Sequence, residues 1–135
     1  MTNVELIEKA KKAAENAYAP YSGFKVGAAL LTKSGRVYLG CNIESSSFSP
    51  TNCAERTAFF KAVSEGEREF EKIAVAGGKN GDFSDYCTPC GVCRQVMSEF
   101  CGEDFKVLLG KNGEEEYREL TLGELLPHSF SLKAQ

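Results

Sequence analysis

The chain has no stretch rich in lysine and arginine, and its net charge is −3. Binding through phosphates needs clustered positive charge, so no nucleic-acid partner is expected. No apolar run approaches the roughly 20 residues that span a bilayer, so no membrane partner is expected either. Met1 to Lys12 alternates charged with apolar side chains and lacks the apolar h-region of a secretory signal. The expected location is therefore cytoplasmic. Repeats, linkers and low-complexity tracts are also missing. Residues 1–135 are expected to form a single domain, long enough to bury a real core. Histidine is nearly absent. The lone His128 follows Pro127, far from the cysteine motifs, and reads as a surface or interface residue and not a metal ligand.

What is present is otherwise ordinary for a globular protein, with 42% hydrophobic and 26% charged residues. The six cysteines are the exception. In a reducing compartment they read as metal ligands or buried thiols before they read as disulfides.

The periodicity predicts alternating helices and strands. Thr2 with Glu5 forms a capping box, followed at helical spacing by Val4, Ile7, Ala10, Ala14 and Ala17. Tyr18 to Gly23 ends that helix. Val26 to Thr32 and Val37 to Cys41 read as strands around a Lys33–Arg36 hairpin turn. Asn42 to Asn52 is a polar loop. A second helix runs from near Cys53 to Gly66, and Ile73–Ala76 is a short central strand. Gly77 to Thr88 reads as a connection. A third helix starts after Pro89 and ends at Gly102. Phe105–Leu109 and Glu115–Leu120 are strands around a Lys111–Gly113 turn, and Thr121–Glu124 opens a short helix that stops at Pro127. The expected fold is α/β, a three-layer α/β/α domain around a five-stranded mixed sheet. The last two strands have too short a link to be parallel.

Two motifs carry chemistry: Thr51-Asn52-Cys53-Ala54-Glu55-Arg56-Thr57-Ala58 and Pro89-Cys90-Gly91-Val92-Cys93. Cys53, Cys90 and Cys93 can close on one zinc ion, leaving its fourth position for water. Cys90 and Cys93 lie one helical turn apart, so both thiols face one way. Helix starts favour thiolate over thiol. A closed four-thiolate site with Cys87 as the fourth ligand is the alternative. Glu55 has no task in that alternative, whereas beside an open site it can shuttle protons as general acid and base. On position alone Glu55 could equally stabilise a helix N-terminus. Cys41 and Cys101 read as buried thiols at element ends. Three thiolates outweigh the charge of Zn²⁺, and Arg56, three residues after Cys53, can curl back to donate to its sulfur and offset the excess. Arg94 follows Cys93 directly and points off that face. Removing the Arg56 charge is expected to loosen zinc and move the acid limb of activity to higher pH.

The same motifs resemble those of the small, homotetrameric, zinc-dependent cytidine deaminases. The resemblance covers nearly the whole length: Ala19–Ser22, Phe24, Val26–Leu30, Asn42–Glu44, Cys53–Ala58, Pro89–Gln95 and Glu124–Pro127. It implies one Zn²⁺ per chain and hydrolytic deamination of cytidine and 2′-deoxycytidine to the uridines, with Glu55 as proton carrier. It also implies substrate contacts from Phe24 as an aromatic wall, Asn42 and Glu44 to the ribose, and the Ala54 N–H to a pyrimidine oxygen. Phe48 and Phe130 resemble positions that reach into a neighbouring subunit's site, which implies a homotetramer. Blasticidin deaminases share the size and metal motif, but the Asn42/Glu44 pair favours a nucleoside. Polynucleotide deaminases usually carry a His ligand and a longer link between the last two strands. A non-enzymatic zinc module is the alternative outside enzymology.

Overall fold

The computed structural model describes residues 1–113 and 115–132. The expected domain span of 1–135 thus includes Glu114 and residues 133–135, which lie outside the described residues. Helix α1 (Asn3–Ala13) starts on the expected box: Thr2 Oγ1 accepts from the Glu5 N–H at 3.1 Å, and Glu5 Oε2 accepts from the Thr2 N–H at 3.3 Å. Strands β1 (Phe24–Thr32) and β2 (Val37–Cys41) follow, then α2 (Ala54–Ser64), β3 (Phe70–Lys79), α3 (Gly91–Phe100), β4 (Lys106–Gly110), β5 (Tyr117–Thr121) and α4 (Leu122–Leu125).

Among the described residues, five strands form one sheet in the order β2-β1-β3-β4-β5. The β3–β4 pair is parallel and the other neighbours are antiparallel. A parallel pair requires a crossover, and the segment carrying α3 supplies it. The tight link between β4 and β5 produces the antiparallel pair that its length demands.

Strand residues alternate between two faces, and each face has its own core. Ala28, Leu30, Ile73, Val75, Val107 and Leu109 pack under α2, α3 and α4 through Ala58, Phe59, Met97 and Leu122. Ala29, Leu31, Ala74 and Leu108 pack against Leu6, Ile7 and Ala10 of α1. This is the three-layer arrangement. Phe59 is the anchor of α2: its ring meets Phe70 at 5.0 Å, Phe105 at 6.1 Å and Phe100 at 6.2 Å. Truncating such a ring costs about 3–5 kcal/mol.

Several boundaries differ from those expected; besides shifts of one to three residues such as the start of β3 at Phe70, four have a local cause. Regular α1 stops at Ala13 and tightens into a 3₁₀ turn at Ala14–Asn16, so Ala17 is extended and not helical. β1 begins at Phe24, before Val26. β3 runs through Gly77 and Gly78 to Lys79, where a connection was expected. Glycine there answers crowding: a Cβ on Gly78 would lie 1.7 Å from the Asp82 carbonyl oxygen, and one on Gly77 would lie 2.7 Å from Val26 Cγ2. β5 begins at Tyr117, because Gly113 adopts a φ of 98° and Glu116 closes a turn back to it.

Candidate functional site

The two helix starts are set side by side by the sheet. α2 lies against β2 at a point with no side chain: a Cβ on Gly40 would meet the Ala54 carbonyl oxygen at 2.3 Å and the Ala58 nitrogen at 2.6 Å. The approach brings Cys53, the residue capping α2, beside Cys90, which caps α3. Cys53 Sγ and Cys90 Sγ are 3.6 Å apart, and Cys90 Sγ and Cys93 Sγ 3.5 Å apart. All three sulfurs lie within 4.8 Å of one another. A tetrahedral zinc with bonds of about 2.3 Å holds its sulfurs about 3.8 Å apart, so the donor set fits one such ion. Cys87 lies outside that group, which weighs against the four-thiolate alternative; burial pushes its thiol up to about 12.

The surroundings favour charge on one of these sulfurs. Without metal, Cys53 is held down to about 5, first by the hydrogen bond from the Cys93 thiol and then by the Arg56 guanidinium. Cys93, the donor in that pair, is pushed up. Arg56 Nη2 donates to Cys53 Sγ at 3.3 Å, while its Nε is buried with no partner among the described atoms. Arg94 turns the other way: its Nε donates to the Pro89 carbonyl and its Nη1 to the Leu125 carbonyl, both at 2.7 Å.

Glu55 stands in the first turn of α2 and is 4% exposed, the one charged side chain in the buried set of the described residues. Burial pushes its carboxyl up to about 7, and the neighbouring Cys53 adds to the shift. A carboxyl poised near neutrality can both take and give a proton at physiological pH. Ala54 precedes it at the first helical position, where a backbone N–H has no partner within the helix.

Asn42 and Glu44 sit close to the thiol cluster along the backbone. Ile43, between them, exchanges hydrogen bonds with Asn52, both at 2.9 Å, and Cys53 is the next residue. Their side chains have partners that the sequence did not announce. Asn42 Oδ1 accepts from the Val26 N–H at 2.9 Å and its Nδ2 donates to the Phe24 carbonyl at 2.8 Å, so the amide extends β1 as a strand residue would. Glu44 Oε1 accepts from the N–H groups of Tyr21 and Ser22 at 3.0 and 3.2 Å, and Oε2 from the Ser22 hydroxyl. These bonds hold its pKa down, the Ser22 hydroxyl most of all. Asn42 thus fixes the backbone of Phe24, whose ring is 40% exposed at the head of β1.

Phe48 and Phe130 lie on the surface, 77% and 67% exposed. Phe48 has a φ of 64°, rare for a bulky side chain. It is held there by its N–H to the Ser45 carbonyl at 3.0 Å and by the Thr51 N–H to its own carbonyl at 2.8 Å. His128 is exposed and also left-handed, with a φ of 54°. Cys41 and Cys101 are half-buried at the ends of β2 and α3. Sequence reasoning missed Gln95, whose Nε2 donates to the Phe130 carbonyl at 2.9 Å. No local pattern signals a contact across 35 residues.

Known proteins share both the sequence and the shape. A cytidine deaminase of Sporosarcina psychrophila is 54% identical over 127 residues, covering 94% of this chain and 90% of that protein. One of Halalkalibacterium halodurans is 53% identical over 126 residues, covering 93% and 92%. The crystal structure of the Burkholderia pseudomallei cytidine deaminase superposes with a TM-score of 0.87 at 49% identity, over 96% of this chain and all of that one. Residues 1–109, which hold all three clustered thiols and Glu55, match the model of the cytidine and deoxycytidylate deaminase zinc-binding region, and the chain belongs to that family.

Proposed function

We propose that this chain hydrolyses cytidine and 2′-deoxycytidine to uridine and 2′-deoxyuridine, releasing ammonia, with one zinc ion held by Cys53, Cys90 and Cys93. The observation that carries the reading is the pairing of three converging thiols with a buried carboxyl, Glu55, that is outside the ligand group. Bound zinc supplies water activation at neutral pH. Glu55 accepts a proton from the attacking water and hands it to N3 of the pyrimidine; it then takes the second proton from the new C4 hydroxyl and gives it to the amino group, which leaves as ammonia while the C4 carbonyl forms. Its burial excludes bulk water from that transfer. The Ala54 N–H donates to the pyrimidine 2-oxygen. Phe24 forms one wall of the base pocket. Asn42 and Glu44 contact the ribose; each keeps hydrogen-bonding capacity beyond the internal bonds that fix its orientation.

The residues 1–135 act as one catalytic domain in a cytoplasmic homotetramer, without nucleic-acid or membrane partners. No helix among the described residues is long and apolar enough to cross a membrane. Phe48 and Phe130 supply rings to adjacent copies. An exposed apolar groove lined by Phe60, Val92, Val96 and Phe100 on α2 and α3 supports an assembly that covers it.

Metal analysis together with ammonia release tests the whole reading. One zinc per chain and one ammonia per uridine formed are expected. Zinc without ammonia release would leave a non-enzymatic zinc module, and deamination of blasticidin in preference to cytidine would displace the nucleoside. Mass in solution should correspond to four chains; an active monomer would remove the shared-site element.

A further inference from the structure

Helix α3 does two things at once. At its start it holds Cys90 and Cys93, and the next two residues grip the C-terminal segment. Arg94 Nη1 holds the Leu125 carbonyl at 2.7 Å, and Gln95 Nε2 holds the Phe130 carbonyl at 2.9 Å. Between those points the chain leaves regular structure: Leu126 N–H to the Leu122 carbonyl closes α4, and Pro127 to Phe130 follows without helix or strand. Gln95 also lines the apolar groove with Phe60, Val92, Val96 and Phe100, so it stands on the face assigned above to an adjacent copy.

We infer that Gln95 is a positioning residue for the reaction in the neighbouring subunit: its amide fixes the backbone of Phe130 and so places that ring in the adjacent pocket. The inference rests on the reading that Phe130 completes a neighbour's site. A ring on an unanchored segment samples many positions, and the incoming nucleoside must then select one. The Gln95 bond removes that choice in advance. Because the same helix carries two metal ligands, each chain's own zinc cluster and the ring it lends to another pocket move as one unit.

The test uses the zinc-loaded assembly. Gln95→Glu keeps length and shape but sets an acceptor against the Phe130 carbonyl. It should raise KM for cytidine about twofold to tenfold, the effect of one lost hydrogen bond, with kcat and zinc content little changed. Gln95→Lys keeps an N–H donor and should restore most of the affinity. Should Gln95→Glu fail to assemble, Gln95→Met removes the donor without adding charge. Tetramers mixed from Gln95→Glu and Glu55→Gln chains should then contain sites of normal KM, since the Glu55→Gln chain lends an ordered Phe130 to a partner able to react. Phe130→Ala, alone and in the same mixture, is the control. A normal KM for Phe130→Ala overturns the shared-site reading and the inference with it. If Phe130→Ala behaves as a lent ring but Gln95→Glu shows a normal KM, or a raised KM that mixing does not relieve, the inference alone falls.

Discussion

Replacing Gly40 by alanine should damage the metal site without touching a ligand. The new Cβ would sit 2.3 Å from the Ala54 carbonyl oxygen, 2.6 Å from the Ala58 nitrogen and 3.1 Å from Ala58 Cα. Such atoms essentially never approach within 3.0 Å, so α2 and β2 must separate by at least about 0.7 Å. β2 is an edge strand, but the pairing of Gly40 with Ala28 of β1 resists its displacement. The clash falls on the first turn of α2, so the start of α2 is expected to shift, and Cys53 with it. Metal–ligand distances tolerate only about 0.2 Å, so the Cys53 sulfur would leave bonding range of an ion still held by Cys90 and Cys93. Overpacking of this kind costs about 1–3 kcal/mol of stability. Zinc affinity should fall by about tenfold to a hundredfold, the range found when the support of a ligand is disturbed. Urea unfolding of the zinc-loaded protein and competition with a chromophoric chelator measure the two effects. A chelator midpoint within twofold of the parent protein would refute the coupling between Gly40 and Cys53.

Other substitutions separate the roles of neighbours. Glu55→Gln should keep full zinc occupancy and lose turnover by about a hundredfold to ten-thousandfold; near-normal ammonia release would refute its role as proton carrier. Arg56→Gln should preserve the circular dichroism spectrum and weaken zinc binding, because the donor 3.3 Å from Cys53 Sγ disappears; unchanged affinity would leave Arg56 without a part in the metal site. Glu44 has a carboxyl held below its ordinary 4.5 by the Ser22 hydroxyl and the N–H groups of Ser22 and Tyr21. Its hold on that turn is complete above pH 4.5 and is lost as pH falls through the lower folded value. Carbon-13 titration should place its midpoint below 4.5, and a midpoint at or above that value would mean the bonds do not persist in solution.

Much of this was legible in the chain because periodicity and spacing report local geometry. Cys90 and Cys93 face one way by helical spacing alone, and Arg56 reaches Cys53 for the same reason. The link between β4 and β5 allowed a single relative direction. What escaped depends on contacts between distant segments. Gly77 and Gly78 read as the start of a connection, yet they lie in β3, paired with Val26 and Lys25 of β1, where Val26 and Asp82 leave no room for side chains. Asn42 read as a loop residue, whereas its amide serves β1 by bonding to Phe24 and Val26. Nothing near position 95 indicates that its amide meets Phe130. Pairings of this kind are fixed by the sheet order, which the hydrophobic pattern does not encode.

Cys53 and Cys90 occupy the positions where helices ordinarily carry serine, threonine, aspartate or asparagine, and neither makes a side-chain capping bond. Each uncapped start forgoes about 1 kcal/mol of helix stability. Serine at either position would mend the helix and remove a thiolate from the metal. Local folding and the proposed metal site therefore favour different residues at the same two positions, and a screen for thermal stability of the metal-free chain would select against the thiols proposed to hold the zinc.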